Sequence, residues 1–298
     1  MGVAGTQMRA GVAVLAGRPN VGKSTLANAL AGVHVAAVSP RAQTTRRRVL
    51  AVANGAGWQA VLIDLPGFQR PADRLTERMQ ATVDRSIGDG DVALFVLNAA
   101  EVAGGGDRFI AQRLSASGRP VIIVLNQVDR LEPGAIAAKI AEAALLVPNF
   151  VALHPTSALT GDGLDALASD LGAALPHGPR LFPVGMATDQ TDAELAAELI
   201  REAVLVRVRD EIPHAVAVIV DEIASARTGR IVRATIVVEH ESQKGIVVGH
   251  KGSVIAATGR SARAALARVW GVDVHTDITV KVRPRWRRDD SMLDRLGV

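Results

Sequence analysis

The sequence reads Gly17-Arg18-Pro19-Asn20-Val21-Gly22-Lys23-Ser24 directly after a short apolar run, Val12–Ala16, and at the start of a helical pattern, Ser24–Ala31. Glycines let the backbone N–H groups of such a loop approach a chain of phosphates, and the N-terminus of the following helix adds a positive dipole end. We therefore predict a phosphate-binding loop in which Lys23 reaches the β and γ phosphates and the Ser24 hydroxyl binds Mg²⁺. The alternative, an ordinary glycine-rich turn, is disfavoured by the flanking strand and helix.

Three further motifs follow in order, each after an apolar run. They are Asp64-Leu65-Pro66-Gly67, Asn126-Gln127-Val128-Asp129 and Thr156-Ser157-Ala158. The carboxylate of Asp129 can accept hydrogen bonds from both N1–H and the exocyclic amine of guanine, a pair that adenine lacks. Asn126 is expected to hold the loop and the base edge, and the backbone N–H of Ala158 to meet the guanine carbonyl oxygen. An isolated Asn-x-x-Asp is common in turns, but this order of motifs predicts a GTP-binding domain and disfavours an ATP-driven enzyme.

The second motif and the segment before it are expected to sense the terminal phosphate. Asp64, at the end of a predicted strand, would hold Mg²⁺ through water, and the N–H of Gly67 would reach the γ-phosphate. Thr44 or, in preference, Thr45 would bind Mg²⁺ and close over a triphosphate; the alternative is a helix or turn cap. Four arginines of the same segment either are solvated or contact phosphate or RNA. They are Arg41, Arg46, Arg47 and Arg48.

Alternation of strands and helices predicts the fold class of the first part of the chain. Apolar runs of strand length are Val12–Ala16, Leu50–Ala53, Ala60–Ile63, Val92–Leu97, Val121–Leu125 and Phe150–Leu153, and further helical patterns are Asp107–Ala116, Gly134–Leu146 and Leu164–Leu175. A hairpin-like turn is predicted at Asn54–Gly57. Near-continuous apolar strands between helices indicate an α/β P-loop GTPase domain, with a mostly parallel sheet and helices on both faces. Ligands of such sheets bind at the carboxyl ends of the strands, where all four motifs fall.

The pattern changes at Pro176-His177-Gly178-Pro179, which predicts a linker. We expect a GTPase domain over residues 1–176, a linker over 177–190 and a smaller α+β domain with a basic tail over 191–298. The order in the second domain is helix, strand, strand, short helix, helix, strand. Its longer segments are Asp192–Arg209, with Thr191 or Asp192 as N-cap, Ala215–Glu222, Val232–Glu239, Val254–Trp270 and Ile278–Val282.

Composition limits the classes of function. The chain has no Cys, which excludes disulfides, thiolate metal sites and a cysteine nucleophile. Aromatic residues make up 3%, which disfavours an aromatic stacking platform for bases. The net charge is only +4, but Arg227–Arg288 contains 13 Lys and Arg against 4 Asp and Glu, which predicts a basic surface. No apolar run approaches the roughly 18 residues of a membrane-spanning helix, and no secretory signal is expected. Met1–Thr6 matches the loose myristoylation pattern, and we interpret this match as chance.

The sequence Gly249-His250-Lys251-Gly252 lies in this basic stretch, ahead of a long helical pattern. A KH domain clamps about four nucleotides against a Gly-x-x-Gly loop of this kind. Lys251 would pair with a phosphate, and Arg260, Arg263 and Arg268 would extend the surface unless they form only a solvated helix face. A second basic cluster surrounds Trp286 and would face RNA or anionic lipid. Its members are Arg283, Arg285, Arg287 and Arg288.

With these motifs in place, the chain resembles the bacterial Era GTPases, which join a GTPase domain to a type II KH RNA-binding domain. The segments that carry the resemblance are Gly17–Ser24, Gln43-Thr44-Thr45-Arg46, Asp64–Gly67 and Ser242-Gln243-Lys244-Gly245-Ile246-Val247-Val248-Gly249, with Trp286 and the tail Leu293–Gly297. The stretch that begins at Ser242 discriminates most, because related GTPases lack it. The resemblance implies binding near the 3′ end of 16S rRNA, a role in assembling the small (30S) ribosomal subunit, and loose association of a cytoplasmic protein with the inner membrane. We also expect a monomer.

Some positions depart from the patterns of known GTPases. Leu65 stands where the family has Thr and Gln127 where it has Lys, so nucleotide affinity is expected to differ, while Gly249–Gly252 moves the lysine of the family's Gly-Lys-Gly-Gly loop. Phe68 occupies the position at which Ras-like switches orient the attacking water with Gln. Hydrolysis is therefore expected to be slow. In similar GTPases an Asn at the position of Asn20 helps K⁺ to replace an arginine finger, so faster hydrolysis is expected in K⁺ than in Na⁺.

Two hypotheses follow. The first is a GTPase whose hydrolysis times its release from a pre-ribosomal RNA, and the second is an RNA-binding assembly protein that binds nucleotide weakly without useful turnover. The predicted nucleotide-binding residues are Gly17, Arg18, Pro19, Asn20, Val21, Gly22, Lys23, Ser24, Thr25, Asp64, Leu65, Pro66, Gly67, Asn126, Gln127, Val128, Asp129, Thr156, Ser157 and Ala158. Mg²⁺ would be held by Ser24, Thr45 and Asp64, and catalysis would use Asn20, Lys23, Thr45 and Gly67. RNA would be contacted by Lys244, Gly249, His250, Lys251, Gly252, Arg260 and Arg263.

Overall fold

A computed structural model describes residues 8–39, 41, 44–68, 71–208 and 212–298 of the chain. These residues form two compact units. The first unit holds residues 8–35, 48–68 and 80–189, and the second holds the described residues of 36–47, 71–79 and 190–298. Gln43 and the myristoylation pattern at Met1–Thr6 lie outside the described residues.

The first unit is an α/β layer structure around a six-stranded sheet. Its strands are β1 (Arg9–Ala16), β2 (Val49–Gly55), β3 (Trp58–Asp64), β4 (Val92–Asn98), β5 (Val121–Asn126) and β6 (Ala152–Pro155). Its helices are α1 (Lys23–Ala31), the second half of α2 (Arg74–Asp89), α3 (Gly105–Ala116), α4 (Ile136–Ala144) and α5 (Leu164–Ala174). The strand order is β2-β3-β1-β4-β5-β6, and every pair is parallel except the β2–β3 hairpin. The predicted α/β fold class is confirmed.

Burial on both faces of the sheet explains the near-continuous apolar strands. Along β1, Ala13 and Leu15 lie in a core cluster with residues of α1 and α5. Val14 and Ala16 lie in the opposite cluster with residues of α3 and α4. Because successive side chains of a strand point to opposite faces, both sets must be apolar. The polar residues of the motifs therefore lie at the ends of the strands.

One helix of the first part of the chain was not predicted. α2 follows β3, and its polar composition conceals an apolar stripe at a spacing of four residues. The stripe consists of Leu75, Met79, Val83 and Ile87, all buried. This spacing marks one face of a helix, so the sequence did contain the signal.

Several predicted boundaries differ from the structure. β6 begins two residues later than predicted, and the predicted helix Gly134–Leu146 is a 3₁₀ turn, Pro133–Ala135, followed by α4. The predicted linker has no helix or strand, but its residues 177–189 belong to the first unit and contact β1 and β3. His177 forms a bridge with Arg9, and the Gln59 side chain accepts the N–H groups of Leu181 and Phe182 at 2.8 and 2.9 Å.

The second unit is an α+β structure with a three-stranded sheet. Its elements are α6 (Asp192–Leu205), α7 (Ile212–Ala215), β7 (Ala217–Ala226), β8 (Gly229–Val238), α8 (Glu241–Val248), α9 (Ser253–Trp270), β9 (Asp273–Val282) and α10 (Asp290–Arg295). β7 and β8 are antiparallel, and β8 and β9 are parallel. The six predicted elements occur in the predicted order as α6, β7, β8, α8, α9 and β9, but the short helices α7 and α10 were not predicted, and β9 begins five residues earlier than predicted. α6 ends at Leu205 rather than at Arg209, which lies outside the described residues.

Specific contacts begin the first helix of this unit and cover both faces of its sheet. Thr191 is the N-cap of α6, since its hydroxyl accepts the Glu194 N–H at 3.2 Å while the Glu194 carboxylate accepts the Thr191 N–H at 2.8 Å. α6 and α9 pack on one face of the sheet. Trp286, α10 and the start of α2 pack on the other. Among the described residues, no helix combines the length and the apolar character needed to cross a membrane.

Truncating Trp286 is expected to destabilise the second unit. The indole is fully buried, and its Nε1–H donates to the Ala215 carbonyl at 2.8 Å. W286A should lower the free energy of unfolding in a urea titration by about 3–5 kcal/mol, because it leaves a cavity and an unpaired carbonyl. Trp270, whose ring lies 4.7 Å from the Arg230 guanidinium, is only half-buried, so W270A serves as the control with a smaller loss. Equal losses for the two variants would contradict the central position of Trp286.

Candidate functional site

The loop Gly17–Gly22 joins β1 to α1 in a tight path that two glycines permit. Gly22 has a positive φ of 94°, and a Cβ there would lie 2.2 Å from Nδ2 of Asn126. A Cβ on Gly17 would lie 2.4 Å from the Val96 carbonyl oxygen. Neither position has room for a side chain. The loop therefore places its backbone where only glycine fits, ahead of the N-terminus of α1, as a phosphate-binding loop requires.

Lys23 begins α1 and turns its ammonium group back onto the loop. Nζ donates to the carbonyl oxygens of Gly17 and Arg18 at 3.1 and 2.9 Å. The side chain is buried, and burial lowers the pKa of Lys23 to about 8, against the opposing attraction of Asp64. A buried ammonium is stabilised by an anion beside it, so the geometry favours a phosphate group at this place.

Ser24 and Asp64 bring two oxygen donors together. The Ser24 hydroxyl donates to Oδ2 of Asp64 at 2.6 Å, and Asp64 is fully buried at the carboxyl end of β3. A hydroxyl and a carboxylate are the kind of ligand that Mg²⁺ takes, and Mg²⁺ completes its shell with phosphate and water. In the part of the chain that the structure describes, no cluster of three or more His, Cys, Asp or Glu is arranged to hold a metal ion. The Ser24–Asp64 pair fits a magnesium ion held mainly through the nucleotide.

The remaining switch residues divide between the two units. Gly67 belongs to the first unit and approaches the phosphate loop closely, since a Cβ on it would lie 2.7 Å from the Pro19 nitrogen. Leu65, where the family has Thr, is buried in the core cluster that contains Val14. Thr45 belongs to the second unit and is buried there. Its predicted role over a triphosphate stays a prediction.

The arginines after Thr45 correct an expectation. Arg46 was expected to be solvated or to contact phosphate or RNA, but it is 5% exposed and donates to three backbone carbonyls of the second unit. The acceptors are Pro213 at 2.9 Å, His214 at 3.0 Å and Val216 at 2.6 Å. Arg47 pairs with Glu194 at 2.6 Å. Both guanidinium groups serve backbone or carboxylate acceptors that lie more than 140 residues away, so local sequence did not reveal them.

Asn126 joins the base-reading motifs to the phosphate loop. Its Nδ2 donates to the Val21 carbonyl at 2.9 Å, and its Oδ1 accepts the backbone N–H of Ala158 at 3.0 Å. A third contact runs from the Val128 N–H to the Thr156 carbonyl at 3.1 Å. Asn126 is 2% exposed. Asn126 therefore holds the loop as expected. The three contacts bring three of the four motifs together at one edge of the sheet.

Two details modify the expected reading of guanine. The Ala158 N–H, expected to meet the guanine oxygen, already donates to Asn126 in this structure, so a guanine oxygen would have to share or replace that bond. Gln127, which stands in place of the family's Lys, donates from Nε2 to the Asn20 carbonyl at 3.0 Å and accepts from Arg130 at 2.8 Å. Asp129 is exposed on the 3₁₀ turn Val128–Arg130, accessible to a base.

Arg18 was expected to contact the nucleotide as part of its loop, but its side chain leaves the loop. Nε donates to Asp107 on α3 at 2.9 Å, and Nη2 donates to Glu101 at 2.7 Å. Burial would lower the pKa of Arg18, but the hydrogen bonds and charges of Asp107 and Glu101 outweigh it and raise the pKa. The side chain is therefore committed to two carboxylates. No local motif pointed to these partners.

The Gly-x-x-Gly loop of the second unit is a tight turn at the start of α9. Gly249 and Gly252 have φ of 74° and 78°, and Lys251 between them has φ of 48°. A Cβ on Gly249 would lie 2.5 Å from Cγ2 of Val254, so the first glycine is sterically required. The side chains of His250 and Lys251 are exposed. This loop offers its backbone and one ammonium group to a ligand.

A groove follows the loop along α9 and β9. Its volume is about 380 Å³, and Arg260 and Arg263 line it from α9 while His275 and Asp277 line it from β9. Both arginines are exposed. Lys244 is half-buried, and its Nζ lies 3.8 Å from Oε2 of Glu241 in an ion pair. The groove thus has a basic wall suited to a sugar-phosphate chain.

The second basic cluster is not one surface. Arg283 pairs with Asp289 at 2.5 Å, and Arg287 pairs with Asp73 and Glu239 at 3.3 and 3.0 Å. Only Arg285 and Arg288 are exposed. Trp286, around which the cluster was predicted, is a core residue. Carboxylates of the same unit thus pair with Arg283 and Arg287, and contact of the cluster with RNA or lipid stays a prediction.

Comparisons with known proteins agree on both units. Residues 12–127 match a family described as 50S ribosome-binding GTPase, and residues 211–287 match the KH domain. The chain is 40% identical over 299 residues to GTPase Era of Mycobacterium tuberculosis, covering 98% of this chain and 99% of that protein. It is 39% identical to GTPase Era of Heliobacterium modesticaldum, with 98% and 97% coverage.

Solved structures give the same result. An Aquifex aeolicus Era variant bound to GDP and AlF4⁻ superposes with a TM-score of 0.93 at 35% identity, covering 97% of this chain and 99% of that one. An Era in complex with MgGDPNP and nucleotides 1506–1542 of 16S ribosomal RNA superposes with a TM-score of 0.93 at 36% identity and the same coverage.

Proposed function

Because this chain belongs to the Era family of GTPases, we propose that it couples a GTP cycle to binding of the 3′ region of 16S rRNA during assembly of the 30S subunit. The family resemblance seen in the sequence is confirmed, and the chain is a GTP-binding, GTP-hydrolysing protein with an RNA-binding KH domain. The observation that carries the proposal is that hydrogen bonds hold the residues of the nucleotide site together within one unit. Asn126 bonds to both Val21 and Ala158 in the same unit that holds Lys23 against its loop and Ser24 against Asp64.

We assign the phosphates of GTP to the loop Gly17–Gly22 and Lys23, and the guanine base to the edge formed by Asn126, Asp129 and Ala158. Ser24, Thr45 and Asp64 would hold Mg²⁺, which neutralises charge on the β and γ oxygens when bound. The ammonium of Lys23, now on two loop carbonyls, would turn to the phosphates.

Phe68 sets a limit on catalysis. Its side chain is buried and packs edge-to-face on Phe109 with ring centroids 6.3 Å apart, in the core cluster of the first unit. A buried phenyl ring cannot orient water. Catalysis then depends on positioning by the loop and on charge neutralisation, which supports slow intrinsic turnover.

Potassium is proposed to supply the charge that an arginine finger supplies elsewhere. Asn20 has a positive φ of 63° and its carbonyl is held by Gln127, so the residue is fixed in the phosphate loop. We expect GTP turnover to be faster in KCl than in NaCl by about tenfold or more, since the cation neutralises transition-state charge. N20A should abolish the difference. Equal rates in both salts, with N20A indifferent, would refute this role.

RNA binding is proposed for the Gly-x-x-Gly loop and the groove beside it. K251A should weaken binding of a labelled RNA with the sequence of the 16S 3′ end, because it removes one phosphate contact, and should lower the slope of log affinity against log salt by about one. R119A, which removes an exposed arginine of the first unit, is the matched control. An unchanged affinity and slope for K251A would separate this loop from RNA binding.

We also propose that the protein acts as a cytoplasmic monomer with part of its population at the inner membrane. The support is the family resemblance and the two exposed arginines Arg285 and Arg288, which suit an anionic surface. Sedimentation with vesicles that contain anionic lipid tests the membrane contact, and loss of binding in a variant that lacks both arginines is the expected result.

A further inference from the structure

Arg18 leaves the phosphate loop and reaches an acidic pair in the same unit. Asp107, its main partner, is 1% exposed, and its second oxygen accepts the Gly104 N–H at 2.8 Å at the start of α3. Glu101 is oriented by Asn98, whose Nδ2 donates to it at 2.7 Å. Both carboxylates are thus held in place by other groups. Arg18 spans from the loop to two fixed acceptors.

The path of the Arg18 side chain is shaped by Gly106. A Cβ on Gly106 would lie 3.0 Å from Cδ and 3.4 Å from Cγ of Arg18, so a larger residue there would press on the side chain. The cavity beside this network has a volume of only about 20 Å³, too small for a ligand. The network therefore has space for the Arg18 side chain and none for a bound molecule, which indicates a structural link rather than a second binding site.

The same residue also holds the catalytic lysine. The backbone carbonyl of Arg18 accepts the Lys23 ammonium at 2.9 Å, while the next residue, Pro19, restricts the backbone conformation of Arg18. The side chain and the carbonyl of one residue thus bond to two different elements, α3 and α1. A shift of the Arg18 backbone would move the acceptor of Lys23.

We propose that Arg18 is a positioning residue that fixes the phosphate loop to α3 and the segment before it, through Asp107 and Glu101. The inference rests on the proposed nucleotide site. Asp107 is expected to be the stronger partner, because its carboxylate is buried and is costly to leave without a cation, whereas Glu101 is half-exposed and contributes less. Arg18 makes no contact with the reacting atoms in this role and acts through Lys23 and the loop.

The test compares R18A, R18K, D107N and E101Q in GTP hydrolysis and GDP binding, with thermal unfolding measured in parallel. D107N retains an oxygen that can cap α3 but loses the charge that holds Arg18. R18A and D107N should each lower kcat/KM by about tenfold to a hundredfold, as expected for a small misplacement of catalytic groups. The double variant R18A/D107N should be no worse than the worse single variant, because both remove the same link. R18K should recover part of the loss, and E101Q should lose less than about threefold.

Separate outcomes overturn the inference. If R18A weakens the binding of GTP more than the binding of GDP, and D107N does not reproduce this loss, Arg18 contacts phosphate directly. If R18A lowers the unfolding temperature but leaves kcat and KM unchanged, its role is only structural. R113A removes another arginine ion pair of α3, to Asp84, and should leave both constants unchanged. Wild-type protein that fails to bind GDP would refute the proposed function itself, whereas GDP binding with a fully active R18A would refute this inference alone.

Discussion

K23A is expected to abolish measurable GTP hydrolysis and to weaken GDP binding by about a hundredfold or more. Lys23 is 6% exposed, and its ammonium group donates to two loop carbonyls, at 3.1 and 2.9 Å. Removing it takes away the positive charge that would neutralise the phosphates and leaves two loop carbonyls without their donor. The effect on turnover should exceed the effect on binding, because negative charge shifts toward the β–γ bridging and β oxygens as the bond to the leaving group breaks, and the ammonium stabilises that charge.

The measurement is displacement of a fluorescent guanine nucleotide by GDP and GTP in the presence of Mg²⁺ and K⁺, followed by phosphate release. K281A, which removes an exposed lysine of β9, is the control and should behave as wild type. The K23A protein should keep its unfolding temperature in the absence of nucleotide, because burial penalises this charge in the folded state. GDP affinity within threefold of wild type would show that the phosphates bind elsewhere.

D129N is expected to change which base the protein accepts. The Asp129 carboxylate can accept two hydrogen bonds from guanine, whereas an asparagine amide accepts one and donates one. Xanthine carries a carbonyl oxygen in place of the exocyclic amine, which matches the amide of asparagine. GDP affinity should fall by about a hundredfold or more, since a buried hydrogen-bonding group left unpaired is penalised strongly. Xanthosine diphosphate should gain affinity in the same variant.

Competition by GDP, xanthosine diphosphate and ADP against the same fluorescent probe checks this prediction. D165N, in the first turn of α5, removes an exposed carboxylate of the same unit and should leave the order of affinities unchanged. ADP should compete poorly with both proteins. A D129N protein that still prefers GDP over xanthosine diphosphate would mean that Asp129 does not read the base.

Most of the strand and helix order was predictable, because it depends on short-range patterns. The fully apolar runs of β1, β4 and β5 are unambiguous when both faces of a sheet are buried. The helix α2 was missed although its apolar stripe is regular, because polar and charged residues fill the positions between. Ends of elements were less accurate, as at the start of β9, because the terminal residues of a strand depend on which neighbour pairs with them.

The motifs of the candidate site could be located from spacing alone, and their chemistry followed from residue type. The hydrogen-bond partners of individual residues could not be predicted in this way. Ala158 was expected to present its N–H to guanine, yet Asn126, 32 residues away, accepts that bond in this structure. Arg46 was expected at a phosphate or in solvent, yet it serves carbonyls about 170 residues further along.

The amino-acid sequence by itself therefore determined the class of ligand, the two-unit α/β and α+β plan and the positions of the four motifs, because loops, caps and apolar periodicity are local properties of the chain. Only the tertiary structure decided which acceptors the charged side chains reach. Arg18 looks like one more loop residue in the sequence, and its ion pair with Asp107 appears only when α3 is packed beside the phosphate loop. A guanidinium pairs with whichever carboxylates and carbonyls the fold brings within about 3 Å, and the residues next to it in the sequence do not reveal these partners.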